Sequence, residues 1–423
     1  MFEKLLLLWK ISELRAKILF VLGMLAVFRL AASIPVAGVD TERLAAFFQS
    51  NQLFGLINIF TGGTLENLSI AMLGVGPYIT ATIILQLLTM IFPRLKEMYY
   101  EEGEQGRQKF NQIGRLLTVP LAILQGFGFL RLLASQGVVE LTPITTAVNI
   151  AVVVAGTILL MWLGELITEK GIGNGVSLII FAGIVASIPQ SLFQFFSTWD
   201  QTKLFQTVAF AAIAIIVVAG VVLINEAQRR VPIAYAKRIR GFRMYGGVST
   251  HLPIRVNSAG VIPIIFALSI VLFPGMIAQF FTTVDVPQIA SIANTIQNIF
   301  SVNNWTSIFI YFGLVFIFTY FYTAVIFDPK EISQNIQRSG GFIPGIRPGS
   351  PMVSHLSRII NRTTLVGASF LGIIAVLPQV MQQGLNLPAL TIGGTAVLIV
   401  VSVVIETMKQ IEAQLTMREY EGF

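Results

Sequence analysis

Cysteine is missing from this chain of 423 residues, and histidine occurs only twice, as His251 and His355. The missing cysteine excludes disulfides, thiolate nucleophiles and cysteine metal sites. Both histidines fall in charged segments between apolar runs, where neither can join a buried proton relay or activate a serine within the membrane. We therefore expect no enzymatic activity, no cofactor and no metal site.

Charged residues are also scarce: they make up 12% of the chain, whereas hydrophobic residues make up 55% and the mean hydropathy is +0.78. Soluble domains usually carry about 25% charged residues. Most of the surface must therefore face lipid, which predicts an integral membrane protein. A transmembrane helix needs roughly 20 apolar residues. The stretches that meet this length are 18–36, 70–92, 116–134, 146–168, 175–197, 206–226, 258–281, 305–327, 364–383 and 389–408.

The distribution of basic residues predicts the orientation of these ten spans. If the N-terminus is cytoplasmic, only Arg43, Arg131 and Lys203 of the 28 basic residues fall in outer connectors, and Arg29 lies inside the first span. This asymmetry follows the positive-inside rule. It favours an even number of spans and places both termini in the cytoplasm.

Two of the cytoplasmic connectors, about 226–257 and 328–362, are long as well as basic. Topology needs only a few charges, so their length favours a docking surface for an acidic cytosolic partner or for ribosomal RNA. For any single residue of these loops, simple topogenic charge is the alternative interpretation.

Short sequence matches indicate an internal repeat. Residues 74–79 in the second span read GVGPYI and residues 260–265 in the seventh read GVIPII; residues 172–175 and 392–395 match more weakly. Five spans per half would make the repeat inverted, and Gly and Pro interruptions at matching places point to a central pathway. Ordinary helix kinks and chance similarity are the alternatives. The glycine run 171–175 follows no strand, so it predicts a tight cytoplasmic turn and not a nucleotide loop.

The spans contain almost no charged residues. Arg29 lies toward the outer end of its span, and Glu165 and Glu406 lie near cytoplasmic ends. An ion-coupled secondary transporter, which is also built from inverted repeats, needs coordinating or charged groups near the middle of the membrane. The sequence disfavours that alternative. A membrane scaffold or lipid scramblase without a central pore is the second alternative.

Aliphatic side chains form rows one helical turn apart, Ile79 with Ile83 and Ile180 with Ile184, so each pair shares a helix face. Such rows are ordinarily core or lipid contacts. A hydrophobic constriction that closes a pore to water and ions is the functional alternative. The apolar piece 53–60 is too short to span, and an interfacial helix is one interpretation of it.

Five further motifs occur in order along the chain: 76–88 (GPYITATIILQLL), 102–107 (EGEQGR), 171–184 (GIGNGVSLIIFAGI), 257–266 (NSAGVIPIIF) and 341–349 (GFIPGIRPG). These motifs resemble those of the bacterial members of the SecY/Sec61 alpha family, and the similarity extends from the first span to the C-terminal tail. The resemblance implies an all-α integral membrane protein of about ten transmembrane helices. Its two inverted halves, 1–203 and 204–423, would close like a clamshell around an hourglass pore.

The resemblance also implies a function. Members of the family conduct unfolded secretory polypeptides across the bacterial cytoplasmic membrane, and they release hydrophobic helices sideways into lipid. They are channels and not enzymes. The implied partners are the SecE and SecG subunits, the SecA ATPase, the ribosome with possible contacts to its RNA, signal sequences and nascent polypeptides, and membrane lipid.

Site residues follow from matching positions in the family motifs. The pore ring would consist of Ile79, Ile83, Ile180, Ile184, Ile265 and Ile399. The plug, about 53–68, would contain Phe54, Gly55, Leu56, Ile57, Asn58, Ile59, Phe60, Thr61, Gly62 and Gly63. The lateral gate, between spans two and three and spans seven and eight, would include the polar residues Gln86, Thr118 and Asn257. Arg240, Arg243 and Arg347 would dock SecA or the ribosome.

Overall fold

The protein is described by a computed structural model. The described residues are 11–38, 43–44, 64–65, 68–135, 137–139, 142–197, 204–235, 238–240, 243–245, 249–281, 287–300, 304–385 and 394–420. The chain divides into two compact units. The first unit comprises Met1–Gln201, Met276–Gln297 and Ile399–Phe423, and the second comprises Thr202–Gly275 and Asn298–Leu398.

Helices make up most of the described residues. In chain order they are α1 (Ser12–Ser33), α2 (Gly76–Ile91), α3 (Pro93–Tyr100), α4 (Gly103–Ser135), α5 (Pro143–Lys170), α6 (Gly175–Ser197), α7 (Leu204–Glu226), α8 (Ile262–Phe281), α9 (Pro287–Ile299), α10 (Trp305–Ile326), α11 (Pro329–Arg338), α12 (Ser350–Leu385) and α13 (Gly394–Tyr420). Each predicted span coincides with one of them, namely α1, α2, α4, α5, α6, α7, α8, α10, α12 and α13.

Within the described ranges, six helices are long and apolar enough to cross a membrane: α1, α4, α5, α7, α10 and α12. The pair α2 and α3, bent by 114° at their junction, adds a seventh if it counts as one span. The prediction of a helical, multi-span membrane protein is confirmed. The helices α4 and α12 begin at Gly103 and Ser350, well before their apolar runs. The first turns of each helix are therefore polar, and the apolar part follows them.

The second span begins later than predicted. Residues 68–75 form turns, and the helix begins at Gly76 with Pro77 in its first turn. Proline is favoured there because its missing N–H would have no intrahelical acceptor. The predicted start of this span at residue 70 is therefore too early, since the helix starts at the motif.

The first basic connector contains strands that the sequence analysis did not predict. They are β1 (Gln228–Tyr235), β2 (Arg238–Arg240), β3 (Arg243–Tyr245) and β4 (Ser249–Arg255), and β5 (Gly341–Phe342) comes from the second connector. β1 pairs antiparallel with β4 and also with β5, giving a three-stranded sheet in the order β4-β1-β5. β2 and β3 form a separate hairpin. Both basic connectors therefore contribute to one sheet.

A hydrophobic core joins this sheet to α11 and the first part of α12. Its buried members are Val231, Ile233, Ile254, Ile336, Ile343, Met352, Leu356 and Ile360. Met352 and Leu356 are completely buried. The two connectors, which look like separate loops in the sequence, thus fold as a single module within the second unit.

The first unit has its own core around the segment that precedes α2. Leu65, Leu68 and Met72 pack with Phe129, Leu130 and Leu133 of α4 and with Val153 of α5, among others. Backbone hydrogen bonds tie this segment to the end of α1: Val36 N donates to Leu68 O at 2.8 Å, and Ile70 N donates to Ile34 O at 2.9 Å.

Candidate functional site

The two GVxPxI motifs adopt the same local backbone geometry, one in each unit. Gly74 (φ 57°) and Gly260 (φ 64°) both occupy the left-handed region, which glycine tolerates better than other residues. Two residues later a helix begins, with proline as its second residue. The isoleucine N–H then bonds to the carbonyl of the motif's valine, at 3.0 Å from Ile79 to Val75 and 3.4 Å from Ile265 to Val261. The sequence match therefore extends to conformation.

These motifs place two predicted pore-ring residues at equivalent positions in the first turns of their helices. Ile79 is half-buried in α2 and Ile265 half-buried in α8. Ile83 follows one turn after Ile79 and is buried. On α6, Ile180 and Ile184 are both buried one turn apart. Ile399 is buried in α13.

The glycine run before α6 is a tight turn, as predicted. Gly173 has φ 94°, and α6 begins at Gly175. A side chain at Gly175 would collide with the backbone carbonyl of Gly164 in α5, so the two helices touch backbone to backbone. Thr168 joins them, because its hydroxyl donates to Gly164 O at 2.8 Å and accepts from Gly175 N at 2.9 Å. This contact fixes the start of the helix that carries Ile180 and Ile184.

The predicted gate residues lie on three different segments. Gln86 is half-buried in α2. Thr118 is fully buried in α4, and its hydroxyl donates to Gly114 O of its own helix at 2.8 Å, so this bond stays within the helix. Leu85 of α2 packs against Gly114, which places these two helices in contact.

Asn257, the third predicted gate residue, lies between β4 and α8 and is 8% exposed. Its Nδ2 donates to Asn225 Oδ1 at 2.8 Å, while its Oδ1 is buried without a hydrogen-bond partner in the described part of the chain. Sequence reasoning missed Asn225, although a polar residue near the end of the very apolar α7 could have indicated a buried hydrogen-bond partner.

An aromatic pair joins α8 to α10. Phe266 of α8 stacks on Phe318 of α10 with ring centroids 5.4 Å apart.

The plug residues Phe54 to Gly63 lie outside the described residues. The residues that follow them are anchored firmly. Thr64, Leu65 and Leu68 are all buried, and the Ser69 N–H and hydroxyl both donate to Thr64 O at 3.1 Å. The C-terminal end of the predicted plug segment is therefore fixed in the core of the first unit.

The predicted docking arginines lie in the second unit, two in a pair of strands and one in a turn. Arg240 and Arg243 face each other in the register of the β2–β3 hairpin. Arg347 is exposed in the turn between β5 and α12, flanked by Gly345 and Gly349, both with positive φ. The neighbouring Ile343 is buried in the module core and Ile346 packs against it. Hydrophobic anchors thus present Arg347 to solvent on a constrained backbone.

Comparisons with known proteins match almost the whole chain. The SecY family model matches residues 69–408. The protein translocase subunit SecY of Thermotoga maritima is 43% identical over 429 residues, which cover 98% of this chain and 96% of the relative. The protein of the same name from Mycobacterium bovis is 42% identical over 438 residues, covering 97% of each chain.

Solved structures show a similar fold. One described as "The structure of a protein conducting channel" aligns with a TM-score of 0.63 at 21% identity, covering 93% of this chain and 91% of that chain. A Sec61 chain in a canine ribosome–channel complex aligns with a TM-score of 0.60 at 20% identity, with the same coverage.

Proposed function

This chain belongs to the SecY family, and from that premise we propose which of its residues form the pore, its seal and its docking surface. It is the channel subunit of a protein translocase and not an enzyme. It conducts unfolded secretory polypeptides across the membrane and releases transmembrane segments sideways into the bilayer. The family match over residues 69–408 carries this conclusion, and it favours the channel over a secondary transporter.

The pore ring consists of Ile79, Ile83, Ile180, Ile184, Ile265 and Ile399 in this proposal. Support comes from the matched geometry of the two GVxPxI motifs, which sets Ile79 and Ile265 at the same position of their helices. Aliphatic side chains suit a gasket because they close around a moving chain without hydrogen-bonding to it. A dry constriction also resists the passage of hydrated ions.

The plug spans about 53–68 and closes the pore from its outer side. The buried anchor at Leu65 and Leu68 supports this proposal, because a movable segment needs one fixed end. A structure described as one in which "the plug domain of the SecY protein" maintains a membrane seal aligns with this chain at a TM-score of 0.61 and 20% identity.

The lateral gate contains Gln86, Thr118 and Asn257. Its two sides are the 1–203 and 204–423 halves, which we propose to be related by an inverted repeat. The buried, unpartnered Oδ1 of Asn257 supports a gating role, since a seam that opens needs polar groups whose hydrogen bonds can be exchanged. Thr118 is the weaker candidate because its hydroxyl is already used within α4.

Arg240, Arg243 and Arg347 form the docking surface for SecA or the ribosome on the cytoplasmic side. The folded module of the two basic connectors supports this proposal for Arg347, because Ile343 and Ile346 beside it belong to the module core. Ribosome-bound Sec61 and Ssh1 complexes are among the structures with this fold. We place the chain in the bacterial cytoplasmic membrane with both termini in the cytoplasm, together with SecE and SecG.

Ion conductance across planar bilayers tests the pore and the plug together. The purified parent should be nearly silent, and a variant lacking residues 54–67 should open to a large, fluctuating conductance. Ile83→Asn, which wets the ring, should raise the leak, whereas Ile84→Asn on another face of α2 should not.

Thermal unfolding of each variant in detergent shows that the purified protein is folded. A deletion variant that stays as silent as the parent would overturn the plug assignment. Equal leaks in the two isoleucine variants would overturn the ring assignment.

A further inference from the structure

A groove of about 490 Å³ lies between α10 and α12 in the second unit. Its polar lining consists of Tyr320, Ser354, Ser357, Arg358, Asn361 and Arg362. The described residues that line it include none of the predicted pore or gate residues. It is therefore a separate feature of the module's membrane-facing end.

The charged side chains that line the groove are both cationic, which favours an anionic ligand. Arg358 and Arg362 are four residues apart on α12, so their side chains share one face of the helix. Both are exposed, and neither forms an ion pair with any carboxylate of the described residues. The described lining residues include no acidic side chain, and the serine hydroxyls and the asparagine amide are further donors. Such a set suits a phosphate group.

The arginines lie where the polar part of α12 ends and its apolar part begins. Leu365, which also lines the groove, is 52% exposed, and Val366 beside it is 51% exposed. On α10, Ile317 is 61% exposed. Exposed aliphatic side chains thus occur on both helices, and on α12 they follow the arginines. This arrangement places the two arginines at the depth of the lipid headgroups.

An aromatic wall continues from the groove along the apolar surface. The rings of Phe312, Phe316 and Tyr320 on α10 follow one another, with centroid separations of 6.3 and 5.3 Å. The Tyr320 hydroxyl donates to Asn361 O on α12 at 3.3 Å, and Phe312 packs over Gly372 of α12. A basic groove therefore opens onto a wall suited to hydrocarbon.

We propose that this groove binds the headgroup of an anionic phospholipid, with the phosphodiester between Arg358 and Arg362 and an acyl chain along Phe316 and Leu365. Basic pockets between transmembrane helices bind anionic lipid headgroups in this way. A zwitterionic lipid is attracted less because its own cation opposes the arginines. A free phosphate binds less well because it has no acyl chain to contact the aromatic side chains.

Native mass spectrometry of the full chain in detergent tests this site. The probes are palmitoyl-oleoyl phosphatidylglycerol, the matching phosphatidylcholine, and glycerol 1-phosphate as the free headgroup. The parent should retain phosphatidylglycerol preferentially over phosphatidylcholine and should not retain glycerol 1-phosphate. Arg358→Gln/Arg362→Gln should weaken phosphatidylglycerol binding roughly 10- to 30-fold, because each basic side chain near an anionic lipid contributes about 1 kcal/mol.

Two control variants separate this site from general charge. Arg358→Lys/Arg362→Lys keeps both charges and should retain the lipid preference. Arg338→Gln removes an exposed arginine from α11 and should bind as the parent does. The proposal is overturned if the Gln double variant keeps the preference, if Arg338→Gln loses it equally, or if glycerol 1-phosphate displaces the lipid at equal concentration.

Discussion

The Nδ2 of Asn257 donates a hydrogen bond to the Oδ1 of Asn225 at 2.8 Å, which ties the entrance of α8 to the end of α7. The strand pair β1–β4 lies between these two residues in sequence and brings them together. Val256 N also donates to Ala227 O at 2.9 Å beside them. The base of the module is thus held by one side-chain bond and an extension of the strand ladder.

Asn257→Asp should destabilise the protein more than Asn257→Ala does. The alanine loses one hydrogen bond, which costs about 1 kcal/mol. The aspartate turns a carboxylate oxygen toward the Asn225 acceptor and buries a charge, which costs several times more. Thermal unfolding in detergent measures both. Ser258→Ala is the control, since its hydroxyl bonds to Arg255 O in the same turn. An aspartate variant as stable as the parent would contradict the contact.

The ion pair between Arg115 of α4 and Glu165 of α5 should contribute little to stability. The Nε–Oε1 distance is 2.7 Å, but the side chains are 47% and 22% exposed. Exposed pairs contribute about 0.2–1 kcal/mol. A double-mutant cycle with Arg115→Gln and Glu165→Gln should give a coupling in this range that falls as salt rises.

The pair Lys17 and Glu13 supplies the comparison for that cycle. Its atoms are 3.6 Å apart within one helix, and the side chains are 33% and 50% exposed. We expect a coupling of about 0.3–0.5 kcal/mol there, below the upper end of the range for Arg115 and Glu165. If this coupling energy exceeds that of Arg115 and Glu165, the shorter distance between α4 and α5 does not strengthen the ion pair.

Gly175→Ala should be severely destabilising. The added methyl group would overlap the backbone carbonyl of Gly164, and a backbone atom cannot turn aside as a flexible side chain can. Separating α5 from α6 costs packing around the Thr168 bridge, so we expect a loss of a few kcal/mol or poor accumulation in the membrane. Gly23→Ala in α1 has nothing within 4 Å and should be neutral or slightly stabilising. Equal melting temperatures for the two variants would refute the close approach.

Substitutions at Gly260 should follow backbone preference alone. No atom lies within 4 Å of an added Cβ, but φ is 64°. Asparagine tolerates this region, alanine costs about 1–2 kcal/mol, and a β-branched valine costs more. Melting temperatures should therefore fall in the order Asn, Ala, Val. Gly313→Ala, equally open but without a positive φ, should change little. Melting temperatures in any other order would show that backbone strain is not the reason for glycine at this position.

The sequence determined the features that depend on local composition. A bilayer sets the length of an apolar helix, so span positions can be read from apolar runs without knowing what packs against what. Thus α6 and the predicted span 175–197 coincide, and the turn before α6 follows from its glycines. The GVxPxI match was visible too, because its backbone geometry depends on the glycine and proline themselves.

Tertiary structure determined what depends on partners distant in the chain. The strand β1 pairs with β4 of its own connector, and its Val231 and Ile233 are buried with Ile336, Ile343 and Met352 from the other connector. The partner of Asn257 and the groove of Arg358 and Arg362 likewise require two helices to come together. Such contacts depend on the packing of segments far apart in sequence, and no local pattern encodes which segments those are.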